Sequence, residues 1–353
     1  MQPAKPVRLL VAASLVVMLT SGCSLLGKDS AKQSIDPPRE DTETMLQTVI
    51  KDAQKNNASQ NAQSTQVTLY FKDDKGFVSP LSLPVASTEG IAKKTLESMV
   101  EDGLPKAQLP KGFTALLPKG TKVKSLDIKT ESKLAVVDFS KEFTNYNVQD
   151  ERKMIEAVTW ALTGFPSIEQ VELRVEGKKL PEMPMGATPL DGTLSRAMGI
   201  NLEIAPGVNP GQSVPVTLYF QSHTADHYGY YVPVTRMVKR TDQVAKAAVD
   251  ELIKGPLANK GLEAVMTLGT EVLQLKQSDD NSTVTVDFSS KFLDKDKKAS
   301  ADAVQAVVLS LTENTKASKV QITVNGDAKV STTDNKTNSQ PVMRPTHINP
   351  LKL

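Results

Sequence analysis

The sequence predicts an α+β protein built from two tandem β-α-β-β-α-β domains. Each is a split βαβ unit with an antiparallel sheet, both helices on one face and an extra C-terminal strand. Three observations carry this reading. Val67-Thr68-Leu69-Tyr70-Phe71 returns as Val216-Thr217-Leu218-Tyr219-Phe220, and Val137-Asp138-Phe139-Ser140, with Phe143 after it, returns as Val286-Asp287-Phe288-Ser289, with Phe292 after it. The strand-like run from Val171 to Gly177 returns from Val320 to Gly326, and all three matches share an offset of 149 positions. A period of that length gives two domains, each large enough to bury its own core, and not a solenoid of short units.

Residues 1–23 precede the first copy and read as a signal peptide. Lys5 and Arg8 form a short positive region, Leu9 to Leu19 is an apolar run too short to span a bilayer, and Thr20-Ser21-Gly22-Cys23 follows. This pattern resembles a bacterial lipoprotein lipobox, with Leu19 one place earlier than usual, and it assigns Cys23 as the lipidated residue. Cys23 is the single cysteine of the chain, so no internal disulfide can form. Acyl chains on its thiol would hold the protein to a membrane, at roughly 0.8 kcal/mol per buried methylene. Residues 24–65 are polar, with Asp36-Pro37-Pro38-Arg39 and an Asn/Gln/Ser-rich run, and read as a tether in which Thr44 to Ala53 forms at most a short helix.

The first domain is read over residues 66–205. It opens with a strand from Gln66 to Phe71, followed by a loop carrying Pro80 and Pro84. A helix from Thr88 to Glu101 places Ala92, Leu96, Met99 and Val100 on one face before Gly103 and Pro105. Lys122 to Lys129 and Leu134 to Phe139 read as a hairpin. A second helix from Gln149 to Thr163 carries the stripe Met154, Ile155, Val158, Ala161 and Leu162, and the strand Glu169 to Val175 closes the set. Trp160 sits one position off that stripe and is expected at the core edge.

The second domain, residues 216–353, matches element for element. Ala248, Val249 and Leu252 line its first helix, and Val304, Val307, Val308 and Leu311 its second. Val284, Val286 and Phe288 alternate with Thr283, Thr285 and Asp287 on its hairpin strand. Each copy has a longer ending, because Arg196 and Ile200-Asn201 recur as Arg344 and Ile348-Asn349. That echo predicts an added strand packing back on each domain, and leaves residues 206–215, rich in Pro and Gly, as the linker.

Composition narrows the function classes. Removing Lys5 and Arg8 with the signal peptide leaves 40 basic against 40 acidic residues, a balance that argues against nucleic acid as a partner. No G-x-S-x-G, P-loop, G-x-G-x-x-G or H-E-x-x-H stretch is present. Asp138 and Asp287 read as strand-end turn residues and not as a carboxylate pair. His223, Asp226 and His227 have helical spacing for a metal but run into a turn, so no metal or cofactor is expected. Tyr228, Tyr230 and Tyr231 stand out as an interface anchor or a sugar-stacking platform, with completion of the core as the competing reading.

The lipobox, the two copies, and their Val-Asp-Phe-Ser and Arg-x-x-x-Ile-Asn signatures together resemble the GerMN-domain family, sporulation and germination lipoproteins of endospore-forming bacteria. The resemblance runs from Cys23 to the C-terminus. GerMN domains are similar to the ring-building motif domains of secretion machines. The resemblance implies a non-enzymatic, lipid-anchored role on the extracytoplasmic face, between mother cell and forespore, with protein partners in the channel complex joining them. The alternatives are a lipoprotein that binds peptidoglycan or a small ligand, and a cortex hydrolase, for which the sequence supplies no nucleophile or carboxylate spacing.

Overall fold

The computed structural model describes residues 64–190, 192–257 and 261–351. Both repeats lie in one compact unit. In the first, β1 (Ser64–Lys72) and β2 (Val78–Ala86) form an antiparallel hairpin, followed by helix α1 (Ile91–Ser98). Strands β3 (Val123–Lys129) and β4 (Leu134–Phe139), helix α2 (Glu151–Leu162), β5 (Gln170–Val175) and the short β6 (Lys178–Lys179) complete it. A short β7 (Glu203–Ile204) leads to the second repeat: hairpin β8 (Ser213–His223) and β9 (Gly229–Lys239), helix α3 (Val244–Lys254), β10 (Val272–Gln277), β11 (Thr283–Phe288), helix α4 (Ala301–Asn314) and β12 (Lys319–Val324). It ends with β13 (Val330–Ser331), β14 (Thr337–Asn338) and β15 (Val342–Met343).

The tandem α+β architecture stands, with two corrections to the sheet. The stretch read as a loop with Pro80 and Pro84 is strand β2, so the first strand of each repeat belongs to a separate hairpin. Pro80 pairs with Tyr70 and Pro84 with Gln66. Two prolines four residues apart put their missing donors on the same side of the strand, away from β1, where the ladder does not need them. The remaining sheet is mixed. β3–β4 and β10–β11 are antiparallel, but β4–β5 and β11–β12 are parallel. The reason is connectivity: a helical crossover returns the chain to the same end of the sheet, which a hairpin turn cannot do.

Val137, Phe139, Val171 and Leu173 bury one face of the first sheet under the helices, and Val284, Val286, Phe288, Val320 and Ile322 do so in the second. Phe143 stacks on Phe139 with centroids 4.2 Å apart, and Phe292 on Phe288 at 4.5 Å. Trp160 is not at the core edge. It is fully buried, with its indole N–H donating to the Gly199 carbonyl at 3.2 Å.

The hairpins are buried on both sides because β2 packs against β9. Val78, Leu81 and Leu83, with Val232 and Val234, are all essentially inaccessible to solvent. The chain endings then cross over. Leu194 bridges Val171 of its own repeat, after which Glu203–Ile204 adds in parallel to Arg236–Met237 of the other. Likewise β15 pairs with Lys319–Val320 of its own repeat, after which Pro350 bridges Ser82 of the first. The expected added strand is therefore shared, since each ending touches its own sheet and then the opposite hairpin.

Asn201 and Asn349 sit where these crossings meet, related by a pseudo-two-fold axis. Asn201 accepts from the Val78 N–H through Oδ1, and donates through Nδ2 to the carbonyls of Val78 at 2.8 Å and Pro233 at 2.7 Å. Asn349 makes the equivalent set with Tyr231 N–H, Tyr231 O and Pro80 O, each at 2.8 Å. An amide with one acceptor and two donors is the side chain that meets such a site. Alanine at either position leaves strand groups unpaired, at about 1–3 kcal/mol each. Asn349→Ala is expected to lower stability by about 2–4 kcal/mol in urea unfolding, and Asn201→Ala, which is less buried, by somewhat less. Wild type should unfold in one transition by calorimetry, whereas two separated transitions would show that the seam does not couple the repeats.

Candidate functional site

The three tyrosines lie at the seam between the repeats. Tyr230 is 1% exposed, meets Phe113 of the first repeat edge-on at 5.0 Å, and donates its hydroxyl to Asp73 Oδ2 at 3.0 Å. Asp73 is itself buried and also accepts from the amides of Lys75 and Phe77 and from the Ser79 hydroxyl. Tyr228 stacks on Tyr230 at 6.2 Å, and its hydroxyl reaches the Asn349 carbonyl at 3.2 Å. Tyr231 donates to Asp302 Oδ1 at 2.7 Å. The sugar-platform reading is corrected, because Tyr230 has no free face and Tyr228 covers it. The strand alternation that exposes one residue in two fails here because β9 is buried on both sides.

On the other side of the seam two repeated arginines meet one carboxylate. Arg196 lies over the Trp160 ring at 4.4 Å, donates through Nε to Thr163 Oγ1 at 3.0 Å, and pairs with Glu313 Oε1 at 2.6 Å. Arg344 donates to Leu309 O at 2.9 Å, Thr312 Oγ1 at 2.7 Å and Tyr219 Oη at 3.1 Å, and pairs with Glu313 Oε2 at 2.5 Å. Each arginine caps the C-terminal end of its own second helix, where the dipole favours a cation. Both then share Glu313, which has no counterpart in the first repeat, where Gly164 stands. Burial alone would raise the Glu313 carboxyl, but the two guanidiniums outweigh it and hold it below the ordinary value. These groups line a cleft of about 500 Å³ together with Tyr70, Phe165 and His347. Two cations against one anion leave it net positive.

The other sequence candidates serve local structure. Asp138 accepts from the Gly177 amide and Asp287 from that of Gly326, both at 2.8 Å, so each holds the turn after the neighbouring strand. His223 Nδ1 lies 2.9 Å from Glu263, and His227 sits in a turn with φ of 64°. Among the described residues no cluster of His, Cys, Asp or Glu has the arrangement of a metal site. Cys23 lies outside the described residues. The repeated Arg-x-x-x-Ile-Asn marked Arg196, Arg344 and both asparagines in the sequence, but nothing there marked Glu313. Glu151, also missed, is buried and accepts from the amides of Gly186 and Thr188 and from the hydroxyls of Thr188 and Tyr146, tying the 181–190 loop to α2.

Glu313→Gln leaves two guanidiniums facing each other, and should cost about 2–4 kcal/mol in urea unfolding, the part-solvated arginines keeping it below the full cost of a broken buried pair. Burial pushes Glu151 up, but hydrogen bonds from Thr188, Tyr146 and Gly186 bring it down from 4.5 to about 2. A lowered folded value means stability that is fully present above pH 4.5 and lost as pH falls toward 2. Wild type should lose stability across that window, and Glu151→Gln should show a shallower acid slope.

Comparison with known proteins bears on what this seam serves. The family model described as "Sporulation and spore germination" matches residues 68–181 and again 217–330. The chain is 35% identical over 350 residues to the spore germination protein GerM of Bacillus subtilis, covering 94% of each. Its fold is similar to the solved tandem GerMN domains of that sporulation protein, with a TM-score of 0.75, 37% identity, and coverage of 81% of this chain and 99% of the other. Among the described residues no helix is long and apolar enough to cross a membrane. The chain belongs to the sporulation and spore germination family, as a GerM relative with two tandem GerMN domains.

Proposed function

We propose that the protein is a non-enzymatic structural component of the sporulation envelope, anchored through a lipid on Cys23. In this role it supports assembly or stability of the channel complex between mother cell and forespore. The observation that favours this reading is how its polar chemistry is used. The buried and half-buried polar groups of the seam — Asp73, Glu313, Arg196 and both asparagines — hold one repeat to the other. None is a nucleophile paired with a base, and the result is one large, firmly joined body suited to contact and not to turnover. The near-neutral charge of the mature chain and the lipobox at Cys23 fit the same role.

The test is co-purification from sporulating cells, comparing the native protein with Cys23→Ala. Recovery of channel components with the native protein, falling at least tenfold for Cys23→Ala, is the expected result. Recovery of the protein alone, together with sedimentation on isolated sacculi, would replace the scaffold by a peptidoglycan-binding role.

A further inference from the structure

The duplication supplies an internal control for the outer edges of the two hairpins. In the second repeat the outward backbone groups of β8 are met by helix α4. Asn314 accepts from the Thr217 N–H at 2.8 Å and donates to the Thr217 carbonyl at 2.6 Å, while Ser310 Oγ accepts from the Tyr219 N–H at 3.0 Å. The equivalent residues of the first repeat are Thr68 and Tyr70 on β1, facing Ala161 and Phe165. Neither of those side chains can hydrogen-bond. Tyr70 pairs with Pro80, which has no N–H, so the backbone groups of Tyr70, and of Thr68 two residues earlier, point away from β2. Among the described residues no partner meets them.

Thr68 and Tyr70 are among the residues that line the 500 Å³ cleft. Tyr70 is 3% exposed, and buried strand N–H and C=O groups are met by a partner in the great majority of folded proteins. Phe165 gives the cleft an apolar wall, Trp160 lies buried beneath Arg196, and among the described residues the charged groups of the lining are Arg196, Arg344 and Glu313, one net positive charge. From Gln66 to Tyr70 the open edge is long enough for a ligand strand of about four residues at about 3.3 Å each.

We propose that this cleft binds an extended peptide segment of a partner protein, which adds as a strand on the outer edge of β1 with a carboxylate directed at Arg196 and Arg344. The ligand main chain meets Thr68 and Tyr70, giving affinity, and an aliphatic side chain packs on Phe165, giving selectivity. A second copy of this chain does not suit the site, because the same cleft from another molecule would set arginines against arginines. The carboxylate belongs either to a chain terminus or to an acidic side chain, and the two share one chemistry. This contact would give the assembly role a location and rests on that role for its biological partner. A titration with purified protein and synthetic peptide stands or falls without the co-purification.

The test uses the purified mature chain and three probes: acetyl-Thr-Val-Thr-Val with a free C-terminal carboxylate, its C-terminal amide, and the amidated peptide with Glu in the last position. Amide hydrogen exchange of the free protein should show Thr68 and Tyr70 exchanging faster than Thr217 and Tyr219. Either carboxylate probe should slow Thr68 and Tyr70, with the tighter one identifying the carboxylate source, and the uncharged amide should bind at least tenfold more weakly. The double variant Ala161→Ser with Phe165→Asn copies the second repeat and plugs the edge. It should fold, as its melting will show, and lose binding at least tenfold. If the variant does not fold, the probes on wild type decide alone. Equal exchange at all four amides in the free protein, no slowing at millimolar peptide, or undiminished binding by a folded plugged variant would each overturn the proposal.

Discussion

Two hairpins cannot be laid against each other without enclosing the outward N–H and C=O groups of their inner strands, and the fold is arranged around meeting them. Asn201 and Asn349 each serve a strand of their own repeat and a carbonyl of the other. The endings that carry them add the rest: the Thr235 N–H donates to the Ile200 carbonyl and the Ser82 N–H to that of Asn349. Apolar burial supplies the drive for contact, but unmet backbone groups at that depth would offset much of it. The crossing of the two endings is therefore a requirement of the seam and not a decoration of its rim.

The arginines follow from the same geometry. A chain that must pass from the end of its own sheet to the opposite hairpin runs across the C-terminal turns of its second helix, where the dipole favours a cation near the carbonyls. Arg196 and Arg344 meet those carbonyls and the hydroxyls of Thr163 and Thr312 in the same way. Two caps built on one axis bring two cations together, and Glu313 relieves that repulsion from one side only. Symmetry places the arginines, and a single substitution in one copy makes their meeting tolerable.

Repeats made the tandem organisation legible, because Val-Asp-Phe-Ser and the two flanking strands recur at one offset. Helix stripes such as Met154, Ile155, Val158 and Leu162 fell where the structure buries them. Strand β2 was hidden because Pro80 and Pro84 read as loop, and only the register against β1 shows that their missing donors lie on the side the ladder does not use. Alternation could not choose between the surface and core readings of the tyrosines for a related reason: it assumes one wet face, and most of β9 is covered on both. Glu313 was invisible because it lacks a repeat partner, and its role depends on residues 117 and 31 positions away.

An isologous contact between two separate chains would force both copies to carry the same residues. Joining them in one chain removes that constraint, and the two copies have diverged where the seam meets solvent. Ser310 and Asn314 close the edge of β8, whereas Ala161 and Phe165 leave that of β1 open. The sheet faces turned away from the helices differ as well. In the first repeat one row runs Asp127, Val136, Glu172 and the next carries Asp138, Arg174 and Lys179. In the second the matching rows are Lys276, Thr285, Gln321 and Gln274, Asp287, Thr323. With the hairpin faces consumed by each other, the sheet faces left outward are unlike, a charged one in the first repeat and one lined by threonine and glutamine in the second.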